Sequence, residues 1–215
     1  MKPTTSKKRL LRSSRLYLVL DAGVNPYRKL LDILRQSAGR GVDIVQLRDK
    51  KGTARDILAF SRLARKIIRG RIPYIINDRV DLARLAADGV HLGQEDVPIV
   101  AAKKILGSSA IIGVSCQTLH AARQAQTQGA DYIGFGSVFK TLTKPRRRPQ
   151  DLSALKKVAK HIRIPVFAIG GITRSSAGRV QEAGIYRMAV CRDICLARDV
   201  QRAVAEWKVL LSPDA

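Results

Sequence analysis

Short apolar runs alternate with longer amphipathic stretches along almost the whole chain. The helical patterns, such as ARDILAFSRLARKII (54–68), have apolar residues at intervals of three and four. Eight apolar runs have the length and composition of β-strands: LYLVL (16–20), DIVQL (43–47), PYIIN (73–77), GVHL (89–92), AIIGV (110–114), DYIGFG (131–136), PVFAIG (165–170) and RMAVC (187–191). The pattern therefore predicts a regular alternation of strands and helices.

The predicted strands are apolar at nearly every position rather than at alternate ones. Such strands are buried on both faces, as in a parallel sheet that is covered by helices. About eight strand–helix units in some 200 residues fit a single (β/α)₈ TIM barrel, and an open doubly wound sheet is the alternative. We expect one barrel domain over residues 15–212, preceded by a basic, solvated or disordered arm at residues 1–14.

Composition indicates a globular protein. The chain has 215 residues, 46% of them hydrophobic, and no apolar run reaches the roughly 20 residues of a membrane-spanning helix. The three cysteines, Cys116, Cys191 and Cys195, do not form a disulfide pattern, and no second ligand pair supports zinc binding at Cys191 and Cys195. We therefore expect a cytoplasmic protein without membrane contact, whose thiols are buried bystanders.

The formal net charge of +23 attracts polyanions without regard to their sequence. This charge is compatible with a nucleic-acid-binding protein, with an enzyme that handles phosphorylated substrates, and with a generally basic proteome. Charge alone does not decide between these classes. The sequence also leaves the oligomeric state open, and a homo-oligomer is compatible with it.

Polar and charged residues gather directly after the predicted strands, where a barrel of this kind has its active site. QLRDK (46–50) places Gln46, Arg48 and Lys50 on one side of the chain. An amide, a guanidinium and an ammonium that converge suit the oxygens of a diphosphate. A charged strand-to-helix turn is the alternative explanation.

Two carboxylates follow neighbouring predicted strands, Asp78 after the third and Asp96 after the fourth. Mg²⁺ commonly takes one or two carboxylates together with substrate phosphate oxygens and water. The pattern therefore predicts a magnesium site, and capping of the next helix by Asp78 is the alternative. His91 is a lone histidine in an apolar strand, and we expect it to be a core residue.

Two later loops have features of an anion site. The loop after the sixth strand offers the hydroxyl groups of Thr141 and Thr143 and the charge of Lys144. IGGIT (169–173) follows the seventh strand, and its Gly171 has no Cβ to keep a phosphate away from the backbone N–H groups. Both loops are expected to contact an anionic ligand.

The motifs Q-x-R-x-K, ND, DGVHLGQED, GVS, ADYIGFGxVFxTxTK and AIGGI occur in this order between about Leu16 and Gly184. Together they resemble the thiamine-phosphate synthase family. The resemblance implies a (β/α)₈ fold and a Mg²⁺-dependent transferase of a pyrimidinylmethyl group. Its implied substrates are hydroxymethylpyrimidine diphosphate and a thiazole phosphate, as a tautomer or in carboxylated form. The implied products are thiamine phosphate and diphosphate, with CO₂ released from the carboxylated substrate.

The resemblance also implies a role for each matching residue. The implied pyrimidine diphosphate ligands are Gln46, Arg48, Lys50, Asn77, Ser115 and Lys144, the Mg²⁺ ligands are Asp78 and Asp96, and the thiazole phosphate ligands are Thr141, Thr143 and Gly171. Cys191 and Arg192 are also expected to bind substrate. The implied catalytic residues are Arg48, Lys50, Ser115 and Lys144. The family's mechanism is dissociative, so these residues neutralise departing charge and hold the substrates rather than supply a nucleophile.

Two segments depart from the family pattern. Gln117 stands where the family usually has histidine, and related thiazole tautomerases use a histidine in this region, which argues against that paralogue. In the eighth strand, Arg187 replaces glycine and Arg192 stands where a serine near the thiazole phosphate is expected. We hypothesise that Arg192 supplies a charge-assisted contact; the alternative is that it fills the pocket and prevents thiazole binding.

A noncatalytic ligand sensor or a nucleic-acid-binding descendant of the same fold is the competing function. The basic arm, the arginine run at 146–148 and the altered eighth strand favour it. The retained Asp78 and Asp96 favour the enzyme, because a noncatalytic descendant does not need them. We therefore expect phosphorylated small molecules as ligands and no nucleic-acid binding beyond nonspecific electrostatic attraction.

Overall fold

The computed structural model describes residues 6–141 and 149–212, and its strands form a closed barrel. Neighbouring strands pair in parallel and in chain order, and the last strand pairs with the first. Their bounds are β1 Leu16–Asp21, β2 Ile44–Arg48, β3 Tyr74–Asn77, β4 Gly89–Leu92, β5 Ile111–Cys116, β6 Tyr132–Phe135, β7 Val166–Ile169 and β8 Met188–Val190. The predicted (β/α)₈ barrel is confirmed, and the alternative of an open sheet is wrong.

Helices follow the strands around the barrel. Their bounds are α1 Ser6–Ser13, α2 Tyr27–Ser37, α3 Ala54–Ile68, α4 Val80–Ala86, α5 Ile99–Leu106, α6 Leu119–Thr127, α7 Leu152–His161, α8 Ala177–Gln181, α9 Arg192–Cys195 and α10 Val200–Leu210. Side-chain oxygens of Thr53, Thr118, Asp151 and Asp199 accept backbone N–H groups at the starts of α3, α6, α7 and α10. Within the described ranges, no helix is both long and apolar enough to cross a membrane.

Side chains of each strand point alternately outward, toward the helices, and inward, into the barrel. The outward set, which includes Leu16, Leu18 and Leu20 of β1, joins the main core. The inward set forms a second apolar cluster: Tyr17, Val19, Ile44, Ile75, Ile111, Tyr132, Phe167 and Ala189. Because both sets are buried, the strands read as continuous apolar runs.

The structure differs from the sequence-based expectation at the amino terminus. Helix α1 spans Ser6–Ser13, where a solvated or disordered arm over residues 1–14 was predicted. Leu11 of this helix is only 2% exposed and packs in the same cluster as Tyr17 of the barrel interior. The prediction of an arm is therefore wrong for residues 6–13, and residues 1–5 lie outside the described part of the chain.

Two lysines of α1 make ion pairs with the barrel. Lys8 Nζ lies 2.8 Å from an oxygen of Asp131, which precedes β6. Lys7 Nζ lies 3.7 Å from an oxygen of Asp88, which precedes β4. The pairs and the buried Leu11 place α1 at the amino ends of the strands, opposite their carboxyl ends.

We expect Leu11→Ala to lower the free energy of unfolding by about 3 kcal/mol, because truncation of a buried leucine leaves a cavity. Arg9→Ala, on the exposed side of the same helix, should change it by less than about 0.5 kcal/mol. Denaturant titration of both variants measures the difference. Equal stabilities of the two variants would show that α1 does not dock on the barrel.

Candidate active site

The site lies at the carboxyl ends of the strands and has two adjoining parts. The larger part is a cavity of about 300 Å³ and the smaller one of about 160 Å³, and Arg48, Asn77 and Ser115 line both. Other predicted site residues in the larger part are Gln46, Thr141, Gly171, Cys191 and Arg192, and those in the smaller part are Lys50, Asp78 and Asp96. Thr143 and Lys144 lie outside the described residues. The structure thus brings together all the predicted site residues that it describes.

A separate groove of about 870 Å³ lies at the opposite end of the barrel. Lys8 and Arg12 of α1 line it together with Arg163 and Arg187. None of the predicted site residues that the structure describes lines this groove. The cavity at the carboxyl ends of the strands is therefore the candidate active site, although the groove is larger.

Asp78 and Asp96 lie side by side in the smaller part of the cavity. Their carboxyl groups are in hydrogen-bonding contact with each other. Lys50 Nζ donates a hydrogen bond to Asp78, and the backbone N–H of Gly93 donates to Asp96 Oδ2 over 2.6 Å. Carboxylates from two neighbouring strands therefore meet next to one ammonium group.

The surroundings of the two carboxyl groups move their pKa values in opposite directions. Burial raises the pKa of Asp78; the hydrogen bond from Lys50 opposes this shift and the contact with Asp96 adds to it. Burial also disfavours the charged form of Asp96, but hydrogen bonds with Asp78 and Gly93 hold its pKa below the usual range. The ionisation of each carboxyl group therefore depends on the other, and a cation between them would relieve their repulsion.

The backbone explains why Asp78 faces the cavity rather than the next helix. Its φ of 61° is in the left-handed region, and its N–H donates to the carbonyl oxygen of His91 on β4 over 2.8 Å. Helix α4 begins after Arg79 and has no side-chain cap. The alternative interpretation, that Asp78 caps this helix, is therefore wrong.

Arg48 is held by a buried carboxylate that the sequence analysis did not assign to it. Arg48 Nη1 donates to Asp21 Oδ2 over 2.7 Å, and Asp21 is 2% exposed. The buried atoms Arg48 Nε, Asn77 Nδ2 and Arg192 Nε have no hydrogen-bond partner among the described residues. All three side chains line the larger part of the cavity. Side chains with unpaired donors along one cavity match a ligand that is rich in acceptor oxygens.

A chain of hydrogen bonds crosses the barrel interior beneath the cavity. Gln46 Nε2 donates to the Tyr17 hydroxyl over 2.7 Å, and this hydroxyl lies 2.8 Å from that of Tyr132. The Tyr132 hydroxyl lies 3.0 Å from His91 Nδ1, and His91 Nε2 lies 2.9 Å from Ser115 Oγ. The chain therefore connects Gln46 to Ser115 through three buried rings.

This chain fixes the floor of the site. Burial raises the pKa values of Tyr17 and Tyr132, so both hydroxyl groups stay protonated and can donate. His91 is 5% exposed, as expected of a core residue, but it also lines the cavity and contacts a predicted catalytic residue, Ser115. Sequence reasoning missed this role, because it depends on contacts between side chains of different strands.

The IGGIT turn forms another wall of the cavity. Gly171 has a φ of 66°, and a Cβ built there would lie 2.4 Å from the carbonyl oxygen of Lys140. The turn therefore requires glycine and packs against the loop that follows β6. Lys140, which the sequence analysis did not single out, lines the cavity beside Thr141.

The start of α9 completes this wall. Cys191 and Arg192 line the cavity. The next residue, Asp193, accepts hydrogen bonds from two side chains that do not line the cavity. Arg174 Nε donates to Asp193 Oδ2 over 2.9 Å, and Trp207 Nε1 donates to the same oxygen over 2.8 Å. These bonds hold the backbone that carries Arg192.

Comparison with known proteins identifies the family. A family model described as thiamine monophosphate synthase matches residues 16–194. The chain is 38% identical over 204 residues to the thiamine-phosphate synthase of Halalkalibacterium halodurans, covering 94% of this chain and 97% of that protein. It is 41% identical over 209 residues to the thiamine-phosphate synthase of Synechococcus sp. strain WH7803, covering 96% of this chain but 59% of that longer protein.

Solved structures agree with the sequence comparisons. Thiamine phosphate pyrophosphorylase from Pyrococcus furiosus superimposes with a TM-score of 0.83 at 35% identity, covering 95% of this chain and 96% of that one. A 3-hexulose-6-phosphate synthase superimposes with a TM-score of 0.73 at 19% identity, which shows the shared fold alone. The predicted resemblance is confirmed, and the chain belongs to the thiamine monophosphate synthase family.

Proposed function

We propose that the chain joins hydroxymethylpyrimidine diphosphate to a thiazole phosphate in a dissociative substitution that Mg²⁺ assists. Thiamine phosphate and diphosphate are the products. The observation that carries this proposal is the contact between the carboxyl groups of Asp78 and Asp96, which follow neighbouring strands, beside Lys50 in the cavity that Arg48 also lines. Membership of the family supports the reaction class.

The carboxyl pair fits Mg²⁺. Two ionised carboxylates in contact repel each other unless a proton or a cation lies between them. No cluster of three His, Cys, Asp or Glu side chains suited to a metal occurs within residues 6–141 and 149–212, so diphosphate oxygens and water would provide the remaining ligands. Held by Asp78 and Asp96, Mg²⁺ would neutralise negative charge on the departing diphosphate.

Basic side chains bind the diphosphate from the side opposite the carboxyl pair. Arg48 lines both parts of the cavity, and Asp21 holds its guanidinium by accepting a hydrogen bond from Nη1. Lys50 also lines the smaller part, where its Nζ donates a hydrogen bond to Asp78. We propose Lys144 as a third cation at the leaving group. These charges stabilise the diphosphate most strongly as the C–O bond breaks, which is what lowers the barrier.

The floor of the cavity binds and orients the pyrimidine. Gln46 and Asn77 offer amide groups, and the Ser115 hydroxyl is oriented by His91. After ionisation, the pyrimidine methyl cation is stabilised by its own amino group, so the reaction needs no side-chain nucleophile. The protein's part is to exclude water and to keep the two substrates in contact.

The opposite wall binds the thiazole phosphate. Gly171 allows close approach to the backbone, Thr141 contributes a hydroxyl group, and Arg192 contributes a charge next to Cys191. We propose Thr143 as a further hydroxyl ligand. Phosphate held at this wall brings the thiazole nitrogen toward the pyrimidine cation, which converts the bond-forming step into a reaction between adjacent groups.

The proposed reaction is tested by incubating the protein with both substrates, with and without Mg²⁺, and measuring thiamine phosphate. Product is expected only with the ion. Absence of product under every condition, from protein with a cooperative unfolding transition, would favour the noncatalytic alternative. A nucleic-acid complex that persists at elevated salt would favour the same alternative, because nonspecific binding weakens steeply with salt.

Arg192→Ser is expected to weaken the binding of thiazole phosphate by roughly tenfold, because a charge-assisted contact is replaced by a neutral one. Binding calorimetry or the KM for this substrate measures the change. Arg198→Ser, at an exposed position beyond the same helix, should leave the affinity unchanged. Tighter binding by the Arg192 variant would contradict the hypothesis and show that the arginine fills the pocket.

A further inference from the structure

Two free thiols lie one helical turn apart at the wall of the active site. Cys191 directly follows β8, and Cys195 is the last residue of α9. The Cys195 backbone N–H donates to the Cys191 carbonyl oxygen over 2.8 Å, and the neighbouring Cys191 thiol, together with burial, raises the pKa of Cys195. The two thiol groups are therefore close neighbours in the reduced protein.

The two thiols differ in their access to the cavity. Cys191 is half-buried and lines the larger part of the active site. Cys195 is 2% exposed, and its Sγ lies 3.6 Å from the carbonyl oxygen of Val19. A small reagent that enters the cavity therefore meets Cys191 first. The remaining cysteine, Cys116, is fully buried and provides an internal control.

We propose that Cys191 and Cys195 are a modification site, at which a hydroperoxide oxidises Cys191 and Cys195 then forms a disulfide with it. In the first step the Cys191 thiolate attacks the terminal oxygen of the hydroperoxide; the O–O bond breaks, the sulfur becomes a sulfenic acid, and the other oxygen leaves as alkoxide, or as hydroxide from hydrogen peroxide. In the second step the Cys195 sulfur attacks the sulfenic sulfur, the S–O bond breaks, and the oxygen leaves as water with the Cys195 proton.

The local geometry permits the disulfide. Four residues of helix rise about 6.0 Å, and the Cα atoms of a disulfide are usually roughly 4.4–6.8 Å apart. This spacing requires no large displacement of the backbone. The product would join Cys191 to the end of α9 across Arg192, and so would fix the segment that we propose as a phosphate ligand. Oxidised protein is therefore expected to bind thiazole phosphate less tightly, an effect that rests on the proposed function.

Treatment of the full chain with hydrogen peroxide, followed by mass spectrometry of intact protein and of its peptides, tests the proposal. The expected result is the loss of two hydrogens, a bond between Cys191 and Cys195, and recovery of the original mass with dithiothreitol. Cys195→Ser should instead accumulate a sulfenic acid at Cys191 that a cyclic diketone traps. Cys116→Ser should form the disulfide as the unmodified chain does.

Equal oxidation of Cys191 and Cys116 without a disulfide, or oxidation of Cys191 that proceeds to sulfinic acid in the unmodified chain, would overturn the proposal. The serine variants must keep a cooperative thermal transition; Cys195→Ala replaces Cys195→Ser if they do not. The mass measurement does not depend on synthase activity. The disulfide proposal can therefore be tested even if the proposed function is wrong. Unchanged thiazole phosphate affinity in fully disulfide-bonded protein would overturn only the effect on binding.

Discussion

Asp78→Asn and Asp96→Asn are each expected to lower kcat/KM for hydroxymethylpyrimidine diphosphate by roughly a hundredfold or more. Each substitution replaces one of two carboxylate ligands with an amide that carries no charge. The diphosphate would then leave with less of its charge neutralised. Steady-state assays at saturating thiazole phosphate and varied Mg²⁺ measure the loss, which excess Mg²⁺ should recover only in part.

Thermal stability distinguishes a role of Asp78 and Asp96 as metal ligands from a structural role. The contact between Asp78 and Asp96 is unfavourable when both are ionised, so either asparagine variant should unfold at the same temperature as the unmodified chain or higher. Asp81→Asn is the matched control, because Asp81 is 60% exposed and pairs with Arg79 on the surface. Near-normal activity of both site variants would contradict the assignment.

Lys50→Ala is expected to lower kcat/KM for the diphosphate substrate by roughly a hundredfold, the usual effect of removing one group that stabilises transition-state charge. Lys50 is 51% exposed, so its removal should cost little stability. The loss should appear mainly in kcat, because negative charge on the diphosphate increases as the C–O bond breaks.

The neighbouring residue provides a control for the general effect of charge. Lys51→Ala removes the same charge one residue later, at an exposed position outside the lining of both parts of the cavity. Its activity should stay within about twofold of the unmodified chain. Equal losses in the Lys50 and Lys51 variants would indicate long-range electrostatic attraction of substrate rather than a specific contact.

The strands could be predicted from the sequence because both of their faces are buried. Outward leucines such as Leu18 pack under the helices and inward residues such as Tyr17 fill the barrel, so each strand is apolar throughout. The site residues followed from the same pattern, because polar residues such as Arg48 and Asp78 come directly after these runs. The apolar runs therefore predicted the barrel, and the polar residues that follow them predicted the candidate site.

Contacts between distant parts of the chain could not be predicted in this way. The hydrogen bond between Tyr17 and Tyr132 joins residues 115 positions apart, and its existence depends on the register of the closed barrel. Helix α1 was missed because its many basic residues indicate solvation, whereas one buried side chain, Leu11, and two ion pairs hold it against the barrel. The roles of Thr143 and Lys144 stay predictions.

A crystal structure with Mn²⁺ and pyrophosphate, in which the anomalous signal of Mn²⁺ locates the ion, tests the proposed metal site most directly. We expect one peak that contacts carboxylate oxygens of both Asp78 and Asp96 and a pyrophosphate oxygen, with Arg48 and Lys50 on the pyrophosphate. Pyrophosphate bound at this site without an ion between it and the two aspartates, or an ion bound elsewhere, would contradict the proposed metal site.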